Sequence, residues 1–225
     1  MDKVEREIKK SHGAENARNH TIGCSADENS ALLRHLEETE KLIRQRIESE
    51  AGLIDELLDL AKVHCGNIQL RMARVDIHEV IIRATRRCRE ESCEKRLDVT
   101  MQLNARWRHV RGDGERLEQV VVNLLRNAVA FTPRFGKVRI ATRDVGEILE
   151  IEVRDNGVGI EMDALPSVFG AFENSALDLD SAHEGASLRV CKALVKIHGG
   201  EISAASQGLG TGTTFMVKLP TVNGD

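Results

Sequence analysis

The chain has 225 residues, 41% hydrophobic and 30% charged, enough for one large domain, or a small element plus one domain, with a core of its own. A net charge of -4 gives no electrostatic basis for binding nucleic acid or an anionic membrane. Five scattered cysteines without a CxxC pair argue against a disulfide frame or zinc site and for reduced thiols in a cytoplasmic setting. No apolar run reaches the length of a membrane span, and the opening MDKVEREIKK is no signal peptide. Any membrane contact or sensor is therefore expected outside this segment.

Between Ala31 and Val63, apolar residues recur at Leu32, Leu36, Ile43, Ile47, Ile54, Leu57 and Ala61. These steps of three, four and seven trace a heptad seam on a long helix. The polar break CSADEN (Cys24 to Asn29) suits a turn followed by an N-cap, and a shorter helix over about Lys3 to Ile22 could fold back on the long one. Two such hairpins make a four-helix bundle, so a homodimer would bury the stripe. A single coiled coil without chemistry is the plainer reading of the heptad alone. His64 to Arg74 reads as a connector.

Asp76 with Glu79 forms a capping box that opens a helix with apolar positions Ile77, Val80, Ile81, Ala84 and Cys88. LDVTM (Leu97 to Met101) is strand-like. Asp113 starts a second helix whose buried face is Leu117, Val120, Val121, Leu124, Leu125 and Ala128, ended by Thr132-Pro133. KVRIATR and EILEIEVRD alternate with period two around a turn at Asp144 to Gly146 and predict a hairpin. A third helix, about Ala186 to His198, is stopped by Gly199-Gly200. EISAAS and TTFMVKLP supply two more strands around GLGTG. The pattern predicts helices on an antiparallel-looking sheet, a two-layer α/β sandwich.

Asn123 and Asn127 stand four apart on one face of an otherwise apolar helix. They could be buried amides satisfied by backbone, or their carbonyl oxygens could hold a Mg²⁺ that bridges a nucleotide's phosphates. Strand IEVRD runs into DNGVGI (Asp155 to Ile160). Asp155 at the strand end can accept from an exocyclic amine, while Gly157 and Gly159 let backbone approach a planar ring. Alone, the loop could equally be a type I′ turn.

Taken in order, RGDGERLEQ, NLLRNAVAFTP, DNGVGI, VFGAFENS, GASLRVCKALVKIHGG and GLGTGTTFMVKLP resemble the lead-in and the N, G1, F, G2 and G3 boxes of sensor histidine kinases. The resemblance implies an α+β chain: an N-terminal helical hairpin, dimerising as a four-helix bundle, followed by an α/β-sandwich Bergerat ATP-binding domain. It implies a dimerisation and phosphotransfer hairpin over residues 1–66, a linker over 67–74 and the ATP-binding domain over 75–222. ATP and Mg²⁺ are the implied cofactors. Asp155 would meet the adenine, Asn123 and Asn127 the metal, and Gly157, Gly159, Gly185, Leu188 and Thr213 the nucleotide. Phe169 and Phe172 would anchor a mobile lid over Glu173 to Glu184. Upstream, AGLIDELLDLAKVHCGNIQL looks like the end of the family's dimerisation hairpin. SHGAENARNHTIGCS lies without gaps on its phosphoacceptor box, which makes His12 the implied acceptor. The implied partners are a second copy of the chain and a response-regulator receiver domain.

This sequence also departs from the family. Gly13 stands where an acid follows the phosphoacceptor histidine, Ala17 replaces a proline, and Ala130 replaces the usual N-box lysine. The G2 pattern GxGLGL has become His183-Glu184-Gly185-Ala186-Ser187-Leu188, keeping its middle glycine, and the lid segment is net acidic. An acidic lid raises the cost of closing over a triphosphate. Two readings follow: an autophosphorylating cytoplasmic kinase core, or a kinase-impaired scaffold (a pseudokinase or phosphotransferase) that docks a response regulator. A Ser/Thr kinase on the same fold, such as an anti-sigma factor, is a third, opposed by the long dimerisation hairpin.

Overall fold

The computed structural model describes residues 70–169 and 179–222, together with helical positions between Ser30 and Ile43. The chain divides into two compact units, Met1–Gly52 and Leu53–Asp225. In the first, Ser30, Ala31, Leu33, His35, Leu36, Thr39, Glu40 and Ile43 are helical and exposed. Leu36 and Ile43 of the expected seam are 56% and 55% exposed. The rest of the seam, the CSADEN break, the shorter helix and His12 lie outside the described residues.

In the second unit, β1 (Ala73–Asp76) pairs antiparallel with β3 (His109–Gly112) as a two-stranded ribbon. The expected linker therefore ends inside a strand. Asp76 caps α1 (Ile77–Arg87), its Oδ1 accepting from His78 N at 2.9 Å. Ile77, Val80, Ile81, Ala84 and Cys88 are all buried, as their spacing predicts. The short α2 (Arg89–Glu94) leads through Lys95 into β2 (Asp98–Leu103). Asp113 caps α3 (Gly114–Phe131), its Oδ1 accepting from Glu115 N and Arg116 N. Then come β4 (Lys137–Val145), β5 (Ile148–Asp155), α4 (Leu179–Ile197), β6 (Glu201–Ala205) and β7 (Thr214–Pro220).

The five-stranded sheet has the order β2-β4-β5-β7-β6. Its neighbours are antiparallel except β2 and β4, which run parallel with Asp98 opposite Lys137 and Leu103 opposite Thr142. The expectation of an antiparallel-looking sheet holds for three of its four pairings, with β2 and β4 the exception. A parallel pair needs a long crossover, and β3 with α3 supplies it.

Alternation sets the two faces of the sheet. Val138, Ile140, Leu149, Ile151, Val153, Phe215, Val217 and Leu219 are buried in the core with α1, α3 and α4. Each such side chain contributes about 1.5–3 kcal/mol. The opposite face is ionic: Arg143, Glu150, Lys218 and Glu201 lie in register across four strands, with Arg143 Nε 2.5 Å from Glu150 Oε2 and Arg139 Nη2 3.2 Å from Glu152 Oε1.

The third helix starts earlier than its sequence signals suggest, at Leu179 and not Ala186. With glycine left only at Gly185, the Leu179 to Leu188 stretch carries residues that tolerate helical backbone, and the helix propagates through it. Its other end is tied down as well. His198 is buried, its Nδ1 2.7 Å from Leu194 O and its Nε2 accepting from Asp113 N at 3.0 Å. That arrangement puts the ring proton on Nδ1 and binds the end of α4 to the start of α3. A Cβ on Gly112 would lie 2.7 Å from the same ring.

Candidate functional site

The site is built where the end of β5, the last turns of α3 and the Gly-rich loop before β7 meet. Asp155 closes β5 and is 5% exposed. Its N–H donates to Thr213 O at 2.9 Å. Its Oδ1 accepts from Gly157 N at 2.8 Å and from Thr213 N at 3.1 Å. Both side-chain bonds fall on one oxygen, which leaves Oδ2 for another donor. Burial holds the Asp155 carboxyl above its ordinary range, and the two N–H bonds pull it back only in part.

The residues after Asp155 do not make a type I′ hairpin, because β5 pairs with β4 and β7 and not with β6, the next strand in sequence. They form a loop gripped from two sides. Val158 N donates to Phe131 O at 3.1 Å, from the last residue of α3. Gly210 N donates to Val158 O at 2.7 Å and Gly212 N to Gly157 O at 3.2 Å. Ser206 Oγ adds a link, accepting from Ile160 N at 3.0 Å and donating to Gly212 O at 2.8 Å.

This packing gives the glycines a nearer reason than room for a ring. A Cβ on Gly157 would lie 2.3 Å from Phe131 O, one on Gly159 2.3 Å from Gly208 O, and one on Gly212 2.1 Å from Asp155 O. Gly159 and Gly212 also have φ of +71° and +75°. The loop exists because backbone packs directly on backbone.

Asn123 and Asn127 are buried on α3, at 4% and 7% exposure. Among the described residues, the Asn127 Nδ2 is buried without a hydrogen-bond partner. A buried amide left unmatched costs about 1–3 kcal/mol. A polar ligand would satisfy it. Among the described residues no cluster of three His, Cys, Asp or Glu could hold a metal. Mg²⁺ here would need the two amide oxygens together with oxygens of its own nucleotide, which is how Mg²⁺ usually binds.

The structure thus brings Asp155, Gly157, Gly159 and Thr213 into one hydrogen-bonded unit, with the helix carrying Asn123 and Asn127 joined to it through Phe131. The other expected site residues lie outside that unit. Leu188 is 8% exposed and part of the hydrophobic core. Gly185 lies within α4, not in a loop. Phe169 packs edge-on against Phe215, with centroids 6.3 Å apart, and Lys192 sits over its ring. Phe172 and Glu173 to Asp178 lie outside the described residues. Sequence reasoning missed Ser206 and the Phe131 carbonyl. Neither had a signal, since a main-chain oxygen carries none and a lone serine before glycine reads as loop.

A mixed sheet backed by helices, with a strand-end carboxylate set in a glycine loop beside an asparagine-bearing helix, defines an ATP-binding domain of the Bergerat type. Residues 112–223 match the histidine kinase-, DNA gyrase B-, and HSP90-like ATPase family, and the chain belongs to it as a sensor histidine kinase ATPase domain. Over 171 residues it is 32% identical to the histidine protein kinase DivJ of Caulobacter vibrioides, covering 76% of this chain and 28% of DivJ. Among solved structures, full-length ShkA in complex with AMPPNP aligns with a TM-score of 0.67 at 24% identity, over 77% of this chain and 36% of that one. The histidine kinase ThkA in complex with the response regulator protein TrrA aligns at 0.62 and 20% identity, over 80% and 50%. The chain therefore spans about a quarter to a half of these proteins.

Proposed function

We propose that the chain is the cytoplasmic core of a two-component histidine kinase that binds Mg·ATP, phosphorylates its own His12 and passes the phosphoryl group to a response-regulator aspartate. The observation that carries the nucleotide half is Asp155, a buried carboxylate whose Oδ1 accepts from Gly157 and Thr213, which leaves Oδ2, among the described residues, to an exocyclic amine. Mg·ATP, when bound, supplies an electrophilic phosphoryl group. Asp155 selects an amino-bearing base, and the glycine loop keeps that carboxylate fixed. Asn123 and Asn127 offer amide oxygens to the metal, and the unpartnered Asn127 Nδ2 offers a donor to a phosphate oxygen. His12 would act as a neutral nitrogen nucleophile, with Glu15, three residues on, orienting its second nitrogen in the absence of an acid at Gly13. A homodimer is supported by the exposed seam residues Leu36 and Ile43. The receiver-domain partner is supported by the ThkA–TrrA complex among the structural relatives.

One observation favours the kinase-impaired scaffold as a second reading. With α4 running from Leu179 through Gly185, N–H groups that a glycine loop would turn toward phosphates lie within a helix. ADP and ATP should then bind with nearly equal, weak affinity.

Incubating the chain with γ-labelled ATP and Mg²⁺ tests both. Acid-labile, base-stable label that disappears in His12→Gln establishes the kinase. Nucleotide binding without label, together with uptake from a phosphorylated regulator, establishes the scaffold.

A further inference from the structure

At the C-terminal end of α3 the last four carbonyls are all matched, the first by the helix's own cap and the other three by donors from elsewhere. A helix leaves its last carbonyls without internal partners. Here Ala128 O takes Thr132 N at 3.1 Å and Thr132 Oγ1 at 2.5 Å. Phe131 O takes Val158 N at 3.1 Å. Val129 O, Ala130 O and Thr132 O all go to one group, the ammonium of Lys95, at 2.8, 2.6 and 3.3 Å. Lys95 is itself fixed, its N–H returning to Glu91 O at 3.2 Å and its carbonyl accepting from Phe135 N at 3.0 Å.

We propose that Lys95 is a positioning residue for nucleotide binding, a role that rests on the nucleotide reading of the Asp155 site. Its cation sits at the negative end of the helix dipole and clamps the last turn of α3. That turn presents Phe131 O to the Gly157–Val158 peptide, where a Cβ on Gly157 would come within 2.3 Å of the same oxygen. Gly157 N in turn holds Asp155 Oδ1 at 2.8 Å. The path from Lys95 to the carboxylate thus runs from its bonds to the last turn of α3 through two further hydrogen bonds, across backbone packed too closely to absorb a shift. Lys95 acts through the loop and makes no contact with the ligand.

Lys95→Met keeps the alkyl stem and removes the donors, and Lys95→Arg restores donors. Two measurements on the full chain separate the possibilities: amide exchange without nucleotide, and calorimetry with adenosine and with Mg·ATP. In Lys95→Met the Val158 amide should exchange on the order of tenfold faster while amides within β5 keep their protection. Adenosine and Mg·ATP should weaken by the same factor, on the order of tenfold, and Lys95→Arg should recover most of both. Unchanged Val158 exchange overturns the proposal, as does a uniform rise across β5, which would mark a merely structural residue. Loss of Mg·ATP affinity alone also overturns it, since that pattern belongs to a direct phosphate contact. If the unsubstituted chain binds neither adenosine nor Mg·ATP, the nucleotide reading fails, and Val158 exchange still decides whether Lys95 sets the loop.

Discussion

The two halves of the candidate site are held in opposite ways. Around Asp155, each group is locked by backbone: Gly157, Gly159 and Gly212 sit where no side chain fits, and both bonds to Asp155 Oδ1 come from main-chain N–H groups. Around Asn127, a buried amide nitrogen has no partner among the described residues. The first half is fixed in place without a ligand, and the open Asp155 Oδ2 specifies what it accepts. The second stores an unmet hydrogen bond that a ligand relieves. Pre-organisation and stored strain are therefore divided between the base end and the phosphate end of one site.

The largest effect should come from breaking the locked half. In Gly212→Ala a Cβ would meet Asp155 O at 2.1 Å with φ at +75°. A loss of roughly 3 kcal/mol or more is expected in urea unfolding, along with nucleotide binding. A loss under about 1 kcal/mol would show that the loop can shift and that the lock is loose.

Asp155→Asn comes next. It should cost at least about a hundredfold in nucleotide affinity, because the amide offers Nδ2 where an exocyclic amine needs an acceptor. The same change should leave the ligand-free fold as stable or more stable at neutral pH. Burial raises the Asp155 pKa above 3.8. That contribution therefore favours the folded state below 3.8 and is lost as pH rises through the raised folded value. Urea midpoints of the two proteins should accordingly converge as pH falls toward 4.

Asn127→Ala sharpens the comparison from the other half. Affinity for Mg·ATP should fall on the order of tenfold, while stability changes by less than about 1 kcal/mol because an unmatched amide is removed. A stability loss of several kcal/mol would mean the amide is already satisfied, and the contrast between the halves would collapse.

The smallest effect has the opposite sign in pH. Asp113 is buried, which by itself would raise its pKa. The N–H groups of Arg71, Arg116 and Glu115, with the nearby Arg116 charge, outweigh burial and lower it below 3.8. Its contribution is present above 3.8 and is lost as pH falls through the lowered folded value. Asp113→Asn should thus destabilise the chain at neutral pH by about 1 kcal/mol, and the difference should shrink in acid.

Among the described residues, the sequence by itself determined α1, α3 and the strands of the five-stranded sheet, because the needed information is local. The spacing Leu117, Val120, Val121, Leu124, Leu125, Ala128 can face one core only as a helix, and all six are buried. Alternation in β4 and β5 fixes which residues point inward. The order of the boxes also singled out Asn123, Asn127 and Asp155. Tertiary structure alone decided three other things. The parallel pairing of β2 with β4 depends on a crossover that no local pattern encodes. The demand for Gly157, Gly159 and Gly212 comes from backbones distant in sequence, Phe131, Gly208 and Asp155, so the glycines were visible while their reason was not. Lys95 reads as one more surface charge until the end of α3 and its cap residue Thr132 bring three carbonyls to its ammonium. A side chain's partners are set by where the chain returns, and that return is what the sequence pattern leaves open.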